Sequence, residues 1–214
     1  MNQGISQEMY DRYFSYLLKG DRKECMKIVS ELFERGIEVR ELYTDLFQTS
    51  LYQIGKLWEQ NKISVAREHM ATAITENAML LAYPHLFGRE DSKGKVIISC
   101  LVNEFHQVGA KMIADILELN GWSTRFLGAN TPLRDLLSLI DEDGPDAVGL
   151  SMSIYSHMPR LAEVIDTLVA RYPRLPILVG GQAFRFGGTE MLERYDTVTF
   201  LSDIPSLEKW IGTR

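Results

Sequence analysis

The feature that most constrains the fold is a short apolar run at residues 96–102, which reads VIISCLV. It is rich in β-branched residues and too short for a core helix, so it predicts a fully buried β-strand. Four similar runs follow it, and amphipathic stretches such as 110–119 and 159–172 lie between them. The predicted strands are residues 95–102, 123–128, 146–151, 176–179 and 197–201. Strands that alternate with helices predict an α/β fold, a five-stranded parallel sheet with right-handed crossovers and helices on both faces.

Polar and glycine residues gather where the predicted strands end. In a flavodoxin-like order, 2-1-3-4-5, the first and third strands flank the point where the strand order reverses, and ligands bind at their carboxyl ends. The residues at these ends are His106 after the first strand, Ser151, Met152 and Ser153 at the third, and Gly180 and Gly181 at the fourth. The sequence therefore predicts a ligand site along this edge.

Before the predicted strands, apolar residues recur at the spacing of an α-helix. Gly20 ends a first amphipathic stretch, a second lies between Asp21 and Gly36, and a third ends near Trp58. Ser64 is a good N-cap for a long fourth helix that runs to about residue 84. The pattern predicts an N-terminal four-helix bundle over residues 1–90 and a flavodoxin-like domain over residues 91–214, joined by a polar linker.

Composition excludes several classes of function. The 214 residues are 45% hydrophobic and 24% charged, with a net charge of −6 and scattered basic residues. This indicates an ordinary globular protein with no membrane span and no direct contact with nucleic acid. The start carries no basic-then-apolar signal, which predicts a cytoplasmic location, and Cys25 and Cys100 are expected to be reduced thiols.

The six residues after the first strand carry the chemistry: Glu104, Phe105, His106, Gln107, Val108 and Gly109. Glu104 lies within reach of the His106 ring and could orient it, as carboxylates do for metal-bound histidines. Gly109 begins the next helix, where a side chain would crowd a closely approaching ligand. One histidine offered to one metal is the arrangement that a corrinoid cobalt uses. The alternatives are a loop histidine with ordinary partners and a solvated carboxylate favoured by the helix dipole.

On these residues the chain resembles the cobalamin-binding proteins of the methionine synthase type, which join a four-helix cap to a flavodoxin-like domain. Their motif is Asp-x-His-x-x-Gly, followed by Ser-x-Leu or similar and by Gly-Gly. The resemblance implies base-off, His-on binding, in which His106 replaces the cofactor's own base on cobalt. The displaced tail would insert between strands one and three, with Ser151 and Ser153 as hydrogen-bonding partners, and Gly180 and Gly181 would allow its close approach. Met152 is expected beside the tail from its position alone.

A second pattern resembles one branch of this family, the CarH/LitR-type light sensors. Trp58, nine intervening residues and then Glu68-His69 match the signature of those proteins, in which the cap covers the upper face of adenosylcobalamin. The resemblance implies a light sensor that forms a dimer or tetramer and signals to a separate output protein by cap movement or a change of self-association. The DNA-binding module of those regulators is absent from this sequence, and Glu59 replaces the histidine that ligates cobalt after photolysis in some of them. A related branch, the photocobilins, adds a bilin chromophore, which this sequence neither favours nor excludes.

Two other functions remain open at this point. A corrinoid methyl carrier of a methyltransferase system would share the fold, the cofactor and the lower ligand. A cobalamin-binding subunit of a mutase fits less well, because a mutase also needs a substrate barrel. Trp58 and His69 could instead be core residues of the bundle. The sequence shows no nucleophile–base set, phosphate loop or zinc spacing, so any chemistry is expected to come from the cofactor.

Overall fold

A computed structural model describes residues 4–86 and 93–213. The chain divides into two compact units, residues 1–87 (the helical unit) and residues 88–214 (the sheet unit). The predicted domain boundary at residue 90 and most of the predicted linker lie outside the described residues. Within the described ranges, no helix is long and apolar enough to cross a membrane.

Side chains cap the first turns of three helices in the helical unit, among them the predicted N-cap Ser64. Side-chain oxygens of Ser6, Asp21 and Ser64 accept hydrogen bonds from backbone N–H groups three residues later. Gly20 has a φ of 78° and ends the first helix in the left-handed conformation. The α-helices are α1 (Gln7–Lys19), α2 (Arg22–Glu34), α3 (Val39–Glu41), α4 (Thr49–Glu59), α5 (Val65–Met79) and α6 (Tyr83–Leu86).

The third predicted helix contains an irregularity that the sequence pattern does not indicate. Between α3 and α4, Leu42–Gln48 forms a π-helix, so that one helical segment runs from Val39 to Glu59. The Thr49 hydroxyl donates to the carbonyl oxygen of Thr44, five residues earlier, at 2.9 Å. This carbonyl belongs to the widened π-helical turn, so the hydroxyl gives it a hydrogen-bond partner. The fourth helix likewise ends in a 3₁₀ turn at Leu80–Ala82 before α6.

The sheet unit confirms the predicted five-stranded parallel sheet. Its strands are β1 (Gly94–Cys100), β2 (Trp122–Phe126), β3 (Ala147–Ser151), β4 (Ile177–Gly180) and β5 (Val198–Leu201). Their order is β2-β1-β3-β4-β5, and every neighbouring pair is parallel. Cys100 on β1 lies opposite Ser151 on β3, which in turn lies opposite Gly180 on β4. The carboxyl ends of these three central strands are therefore level with one another.

Helices flank this sheet, as the alternating pattern predicts. They are α7 (Val108–Leu119), α8 (Leu133–Asp143), α9 (Met158–Arg171) and α10 (Ile204–Gly212). The apolar faces of α8 and α9 pack in one cluster with alternate residues of the central strands, among them Ile97, Val148 and Val179. Helix α7 contacts α10 and the first three strands, and contributes no residue to that cluster. The core thus fixes the strand ends and the loops that follow them.

Candidate functional site

The centre of the site is the pair formed by Glu104 and His106 in the loop after β1. The Glu104 side chain has no solvent-exposed surface, and its Oε1 lies 2.5 Å from His106 Nδ1. Oε1 also accepts the backbone N–H of His106 at 3.0 Å. The other carboxylate oxygen, Oε2, accepts the backbone N–H groups of Ser153 at 2.8 Å and Ile154 at 3.2 Å. Glu104 therefore joins the loop after β1 to the loop after β3.

These contacts keep the buried carboxylate charged. Burial acts to raise the pKa of Glu104, but hydrogen bonds from the His106 ring and from the backbone of Ser153 and His106 outweigh it and lower the pKa to about 2. A charged carboxylate at Nδ1 favours a proton on that nitrogen, so Nε2 is the ring nitrogen that would ligate a metal. The His106 side chain is 56% exposed, so a ligand can reach it from solvent.

The site offers a metal one oriented histidine, His106. Among residues 4–86 and 93–213, no group of three or more His, Cys, Asp or Glu side chains could hold a metal ion. A site built from one oriented histidine cannot satisfy a free four- or six-coordinate ion. It does fit a metal whose remaining positions are filled by a macrocycle.

The loop after β2 supports the Glu104 loop from the side. Asn103 and Asn130 have positive φ values of 66° and 55°, and the Asn130 side chain accepts the backbone N–H of Asn103 at 2.8 Å. The backbone N–H of Asn130 donates to the Glu104 carbonyl at 2.9 Å. Gln107 Oε1 accepts the N–H of Ala129 at 3.1 Å. Asn103 and Asn130 were not predicted as site residues, although the tolerance of asparagine for left-handed backbone is the signal that could have indicated them.

Cys100 is a second supporting residue that the sequence did not assign to the site. Its Sγ lies 3.8 Å from the carbonyl oxygen of His106. Burial, and to a smaller extent the charge of Glu104, raise the pKa of the thiol to about 12. Cys100 is therefore a protonated thiol that packs against the histidine loop.

Phe105, Val108 and Gly109, three other residues of the first motif, differ in burial and in how closely the chain packs around them. Phe105 is 66% exposed, whereas Val108 is buried at the start of α7. Gly109 does not have a left-handed φ, and a Cβ added there would meet no described atom within 4 Å. Glycine inside a helix costs about 0.5–1 kcal/mol relative to alanine, and neither packing nor backbone conformation accounts for it here. Gly109 therefore leaves an open, side-chain-free position on the first turn of α7, three residues after His106.

Residues 151–153 occupy three different environments. Ser151 is half-buried at the end of β3. The Met152 side chain is fully buried in the apolar cluster under α8 and α9. The predicted contact between Met152 and a bound tail stays a prediction, and the burial of the side chain leaves the Met152 backbone as the part that could make it. Ser153 joins the site through its backbone N–H on Glu104.

Gly180 and Gly181 are required by the chain's own packing. A Cβ on Gly180 would lie 2.9 Å from the carbonyl oxygen of Leu201 on the neighbouring strand. At Gly181, where φ is +115°, a Cβ would lie 2.1 Å from the carbonyl oxygen of Met152. The two glycines thus let the ends of β3, β4 and β5 approach one another. Their predicted role beside a cofactor tail stays a prediction.

In the helical unit, Trp58 and Glu68 lie at the same end of the α4–α5 pair. Trp58 follows the buried Ile54 by four residues and so continues the core-facing side of α4, where it is 47% exposed. Glu68 precedes the buried Ala71 by three residues and holds the same place on α5. The two helices contact each other and are joined by residues 60–64, so their joined ends bring the indole and the carboxylate to one end of the unit.

His69 does not share that core-facing position. Its side chain is 74% exposed, and its Nε2 lies 3.6 Å from Glu68 Oε2. The second carboxylate oxygen of Glu68 accepts the hydroxyl of Thr72 at 3.0 Å. Glu68 is thus held by its own helix, with His69 beside it at the surface.

Comparison with known protein families identifies both units. A family model described as B12 binding domain matches residues 94–203, which is half of the chain. A second model with the same description matches residues 9–82. These two matches confirm the predicted combination of a B12-binding helical cap and a B12-binding domain.

The similar proteins belong to several functional classes. The chain is 22% identical over 182 residues to dimethylamine corrinoid protein 3 of Methanosarcina acetivorans, covering 84% of this chain and 83% of that protein. It is 27% identical over 124 residues to the HTH-type transcriptional repressor CarA of Myxococcus xanthus, covering 58% of this chain and 43% of that protein. It also matches methionine synthase of Mycobacterium leprae at 20% identity, over 82% of this chain but 15% of that enzyme. The chain therefore spans less than half the length of the last two proteins.

A solved structure has the same fold along almost the whole chain. The monomethylamine corrinoid protein of Methanosarcina barkeri superposes with a TM-score of 0.82 and 16% sequence identity, covering 97% of this chain and 99% of that one. At this identity the similarity establishes the fold alone.

Proposed function

The chain belongs to the B12 binding domain family, and from this premise we propose that it holds cobalamin base-off and His-on and uses the cofactor to sense light. His106 is the lower cobalt ligand through Nε2. The observation that supports this assignment is the bond between the buried Glu104 carboxylate and His106 Nδ1, at 2.5 Å. That bond holds the ring in one orientation and one tautomer before any ligand arrives, which reduces the ordering cost of binding.

The other residues of the sheet unit receive the rest of the cofactor. Gly109 leaves space beside His106 for the corrin, and the exposed Phe105 ring offers it an apolar contact. In this proposal Ser151, at the end of β3, and Ser153, two residues later, donate to the displaced tail, and Gly180 and Gly181 lie after β4 at the same edge of the sheet.

The helical unit acts as a cap over the upper ligand in this proposal. Trp58 and Glu68 share one end of the α4–α5 pair, and the half-exposed indole is a flat apolar surface for a bound group. Adenosylcobalamin, when bound, supplies a cobalt–carbon bond that light cleaves. Trp58, Glu68 and His69 would hold the upper group, and the packing of the helical unit would change once they no longer held it. The similarity to the HTH-type transcriptional repressor CarA supports a signalling role for this chain.

The signal leaves the protein as a change in cap packing or self-association. A homo-oligomer, a dimer or tetramer, and a separate output protein are the partners that this requires. Absorption spectra of the adenosylcobalamin-loaded protein in darkness and after green light, with size-exclusion chromatography of both samples, test the proposal. We expect a stable dark complex whose spectrum and elution volume both change on illumination. A spectrum that bleaches no faster than free adenosylcobalamin, with an unchanged elution volume, would contradict light sensing.

A corrinoid methyl carrier is the second candidate. The observation that favours it is the match to dimethylamine corrinoid protein 3. The matched region covers 83% of that protein, so almost the whole of a corrinoid protein corresponds to this chain. In that case His106 and Glu104 would tune cobalt between methylated and unmethylated states, and partner enzymes would donate and accept the methyl group. Methylcobalamin retained by the protein and demethylated by a methyltransferase, without a structural response to light, would favour the carrier.

Replacement of Trp58 separates a cofactor-facing role from a structural one. We expect Trp58→Ala to bind adenosylcobalamin but to lose the adenosyl group in darkness about fivefold faster, the equivalent of about 1 kcal/mol of lost aromatic contact. Trp58→Phe is the matched control and should show a smaller change. A lower melting temperature of the apoprotein with unaltered dark stability and photolysis would instead assign Trp58 to the core of the bundle.

A further inference from the structure

Left-handed backbone is concentrated around the Glu104–His106 pair. Among the described residues, three that are not glycine have a positive φ, namely Asn61, Asn103 and Asn130. Asn103 directly precedes Glu104, and Asn130 lies in the loop after β2. Such backbone costs a residue with a side chain free energy, and it persists where the surrounding structure holds it in place. Two neighbouring cases at one site indicate that the conformation of these loops is used.

Asn103 is the third residue of a tight turn that redirects the chain after β1. The turn is closed by the backbone N–H of Glu104, which donates to the carbonyl oxygen of Leu101 at 3.0 Å. A positive φ at the third position is what a type II turn requires, and asparagine adopts it more readily than most residues. Beyond this turn the Glu104 side chain is fully buried, whereas the His106 side chain lies at the surface. The turn therefore directs the carboxylate inward just before the chain returns to solvent.

Asn130 holds this turn at two points. Its side-chain Oδ1 accepts the backbone N–H of Asn103 at 2.8 Å. Its own backbone N–H donates to the carbonyl oxygen of Glu104 at 2.9 Å. A single residue thus binds the peptide group that enters Asn103 and the peptide group that leaves Glu104.

The second of these bonds restrains the path from Glu104 to His106. Bonds from the His106 ring and from the Ser153 backbone place the Glu104 carboxylate. The Glu104 carbonyl belongs instead to the planar peptide group that joins Glu104 to Phe105. The rotation of this group sets where the next residues lie, and the N–H of Asn130 fixes that rotation. A restraint on this peptide group is therefore a restraint on where the His106 ring lies relative to its carboxylate.

We propose that Asn130 is a positioning residue for His106. By holding the turn at Asn103 and Glu104, it keeps Nδ1 of His106 against the carboxylate and leaves Nε2 as the nitrogen for a metal. The inference rests on the proposed function and deepens it, because Asn130 acts on a bound corrinoid through the His106 ring. A ring that is already positioned loses less freedom when it becomes a ligand.

Nitrogen NMR of the apoprotein labelled with ¹⁵N-histidine tests the positioning without a cofactor. With a neutral ring, we expect the wild type to show one tautomer of His106, with the proton on Nδ1. Asn130→Ala removes the side-chain acceptor and strains the left-handed backbone. An unrestrained imidazole in water prefers the proton on Nε2, so a second tautomer of His106 should appear in this variant. Asn130→Asp keeps an acceptor oxygen and tolerates the left-handed backbone, so it should restore the single tautomer.

Cobalamin titrations test whether the effect on binding passes through His106. We expect Asn130→Ala to lower the affinity about fivefold, the scale of one lost hydrogen bond. In a His106→Ala background the same substitution should change the affinity less than about 1.5-fold, because a residue that acts through the ring has no effect once the ring is gone. A role in stability alone would not produce this dependence on His106.

Asn120→Ala is the matched control. Asn120 lies at the other end of α7, and its amide donates to the carbonyl oxygen of Ile116 at 2.8 Å, so this variant also loses a bond between a side chain and the backbone. It should keep the single His106 tautomer and the affinity of the wild type. If Asn130→Ala does not fold, Asn130→Gly replaces it, since glycine adopts the positive φ without strain and lacks the acceptor.

Three results would overturn the role of Asn130: a single His106 tautomer in Asn130→Ala, an unchanged affinity, or equal losses of affinity with and without His106. Failure of the proposed function has a different signature. A wild-type protein that binds no corrinoid would refute that function, and the tautomers of wild type and Asn130→Ala would still decide whether Asn130 positions the ring.

Discussion

Replacing His106 with alanine is expected to weaken cobalamin binding at least about tenfold, the equivalent of about 1.4 kcal/mol, and to remove histidine ligation from the spectrum of the complex. The reason is that His106 is the one ring that Glu104 holds in position at the strand ends. Titration followed by absorbance measures both effects, since the axial ligand of cobalt changes the spectrum.

The expected loss must be separated from a folding defect. The His106 side chain is 56% exposed, so its removal deletes little packing. His85→Ala is the matched control, because that histidine belongs to the helical unit and stacks on Phe33 with ring centroids 4.3 Å apart. It should bind cobalamin with the spectrum of the wild type. Unchanged affinity and spectrum in His106→Ala would refute the assignment of the lower ligand.

Glu104→Gln is expected to destabilise the apoprotein by roughly 2–4 kcal/mol at neutral pH. The buried carboxylate accepts four hydrogen bonds, from the ring and backbone of His106 and from the backbone of Ser153 and Ile154. An amide offers one oxygen in place of two and turns its NH₂ group toward backbone donors, so at least one buried N–H loses its partner. Urea unfolding measures the difference, and Glu142→Gln, at an exposed position of α8, is the control.

The contribution of the Glu104 carboxylate to the free energy of unfolding is expected to decrease as the pH falls. Its pKa falls from the usual 4.5 to about 2 in the folded protein, so the unfolded chain takes up a proton first as the pH falls. The stabilisation, about 3 kcal/mol, is complete above pH 4.5 and is lost as the pH approaches 2. The difference in unfolding free energy between wild type and Glu104→Gln should narrow over that interval. Tryptophan fluorescence can follow the unfolding of the sheet unit, which contains Glu104. For this measurement both proteins carry Trp58→Phe, so that the signal comes from Trp122 and Trp210, which are buried in the sheet unit. A difference that stays constant down to pH 2 would contradict the assigned charge of Glu104.

Local sequence signals were sufficient to predict the fold. Buried β-branched runs separated by amphipathic stretches predicted all five strands, and the level ends of β1, β3 and β4 follow from the parallel order. Helix boundaries at Gly20 and Ser64 were equally readable, because a left-handed glycine and a capping hydroxyl act on their own turns. Both signals depend on residues close together in the chain.

Contacts between distant residues could not be predicted in this way. Glu104 bonds to backbone groups 49 and 50 residues later, and no pattern indicates which loop would supply them. Gly181 is needed because the Met152 backbone approaches it, a fact of strand packing that a motif does not reveal. The π-helix at Leu42–Gln48 was not predicted either, because the spacing of its buried residues is compatible with an ordinary α-helix.

The most direct test of the central claim, that His106 ligates cobalt, is electron paramagnetic resonance of the protein loaded with cob(II)alamin and labelled with ¹⁵N-histidine. The unpaired electron of cobalt couples to the axial nitrogen, and ¹⁴N and ¹⁵N split its lines into triplets and doublets respectively. We expect doublets with labelled protein and triplets with unlabelled protein, because the lower ligand comes from the chain. Triplets in both samples would show that the cofactor's own base remains on cobalt, and the account of His106 would be wrong.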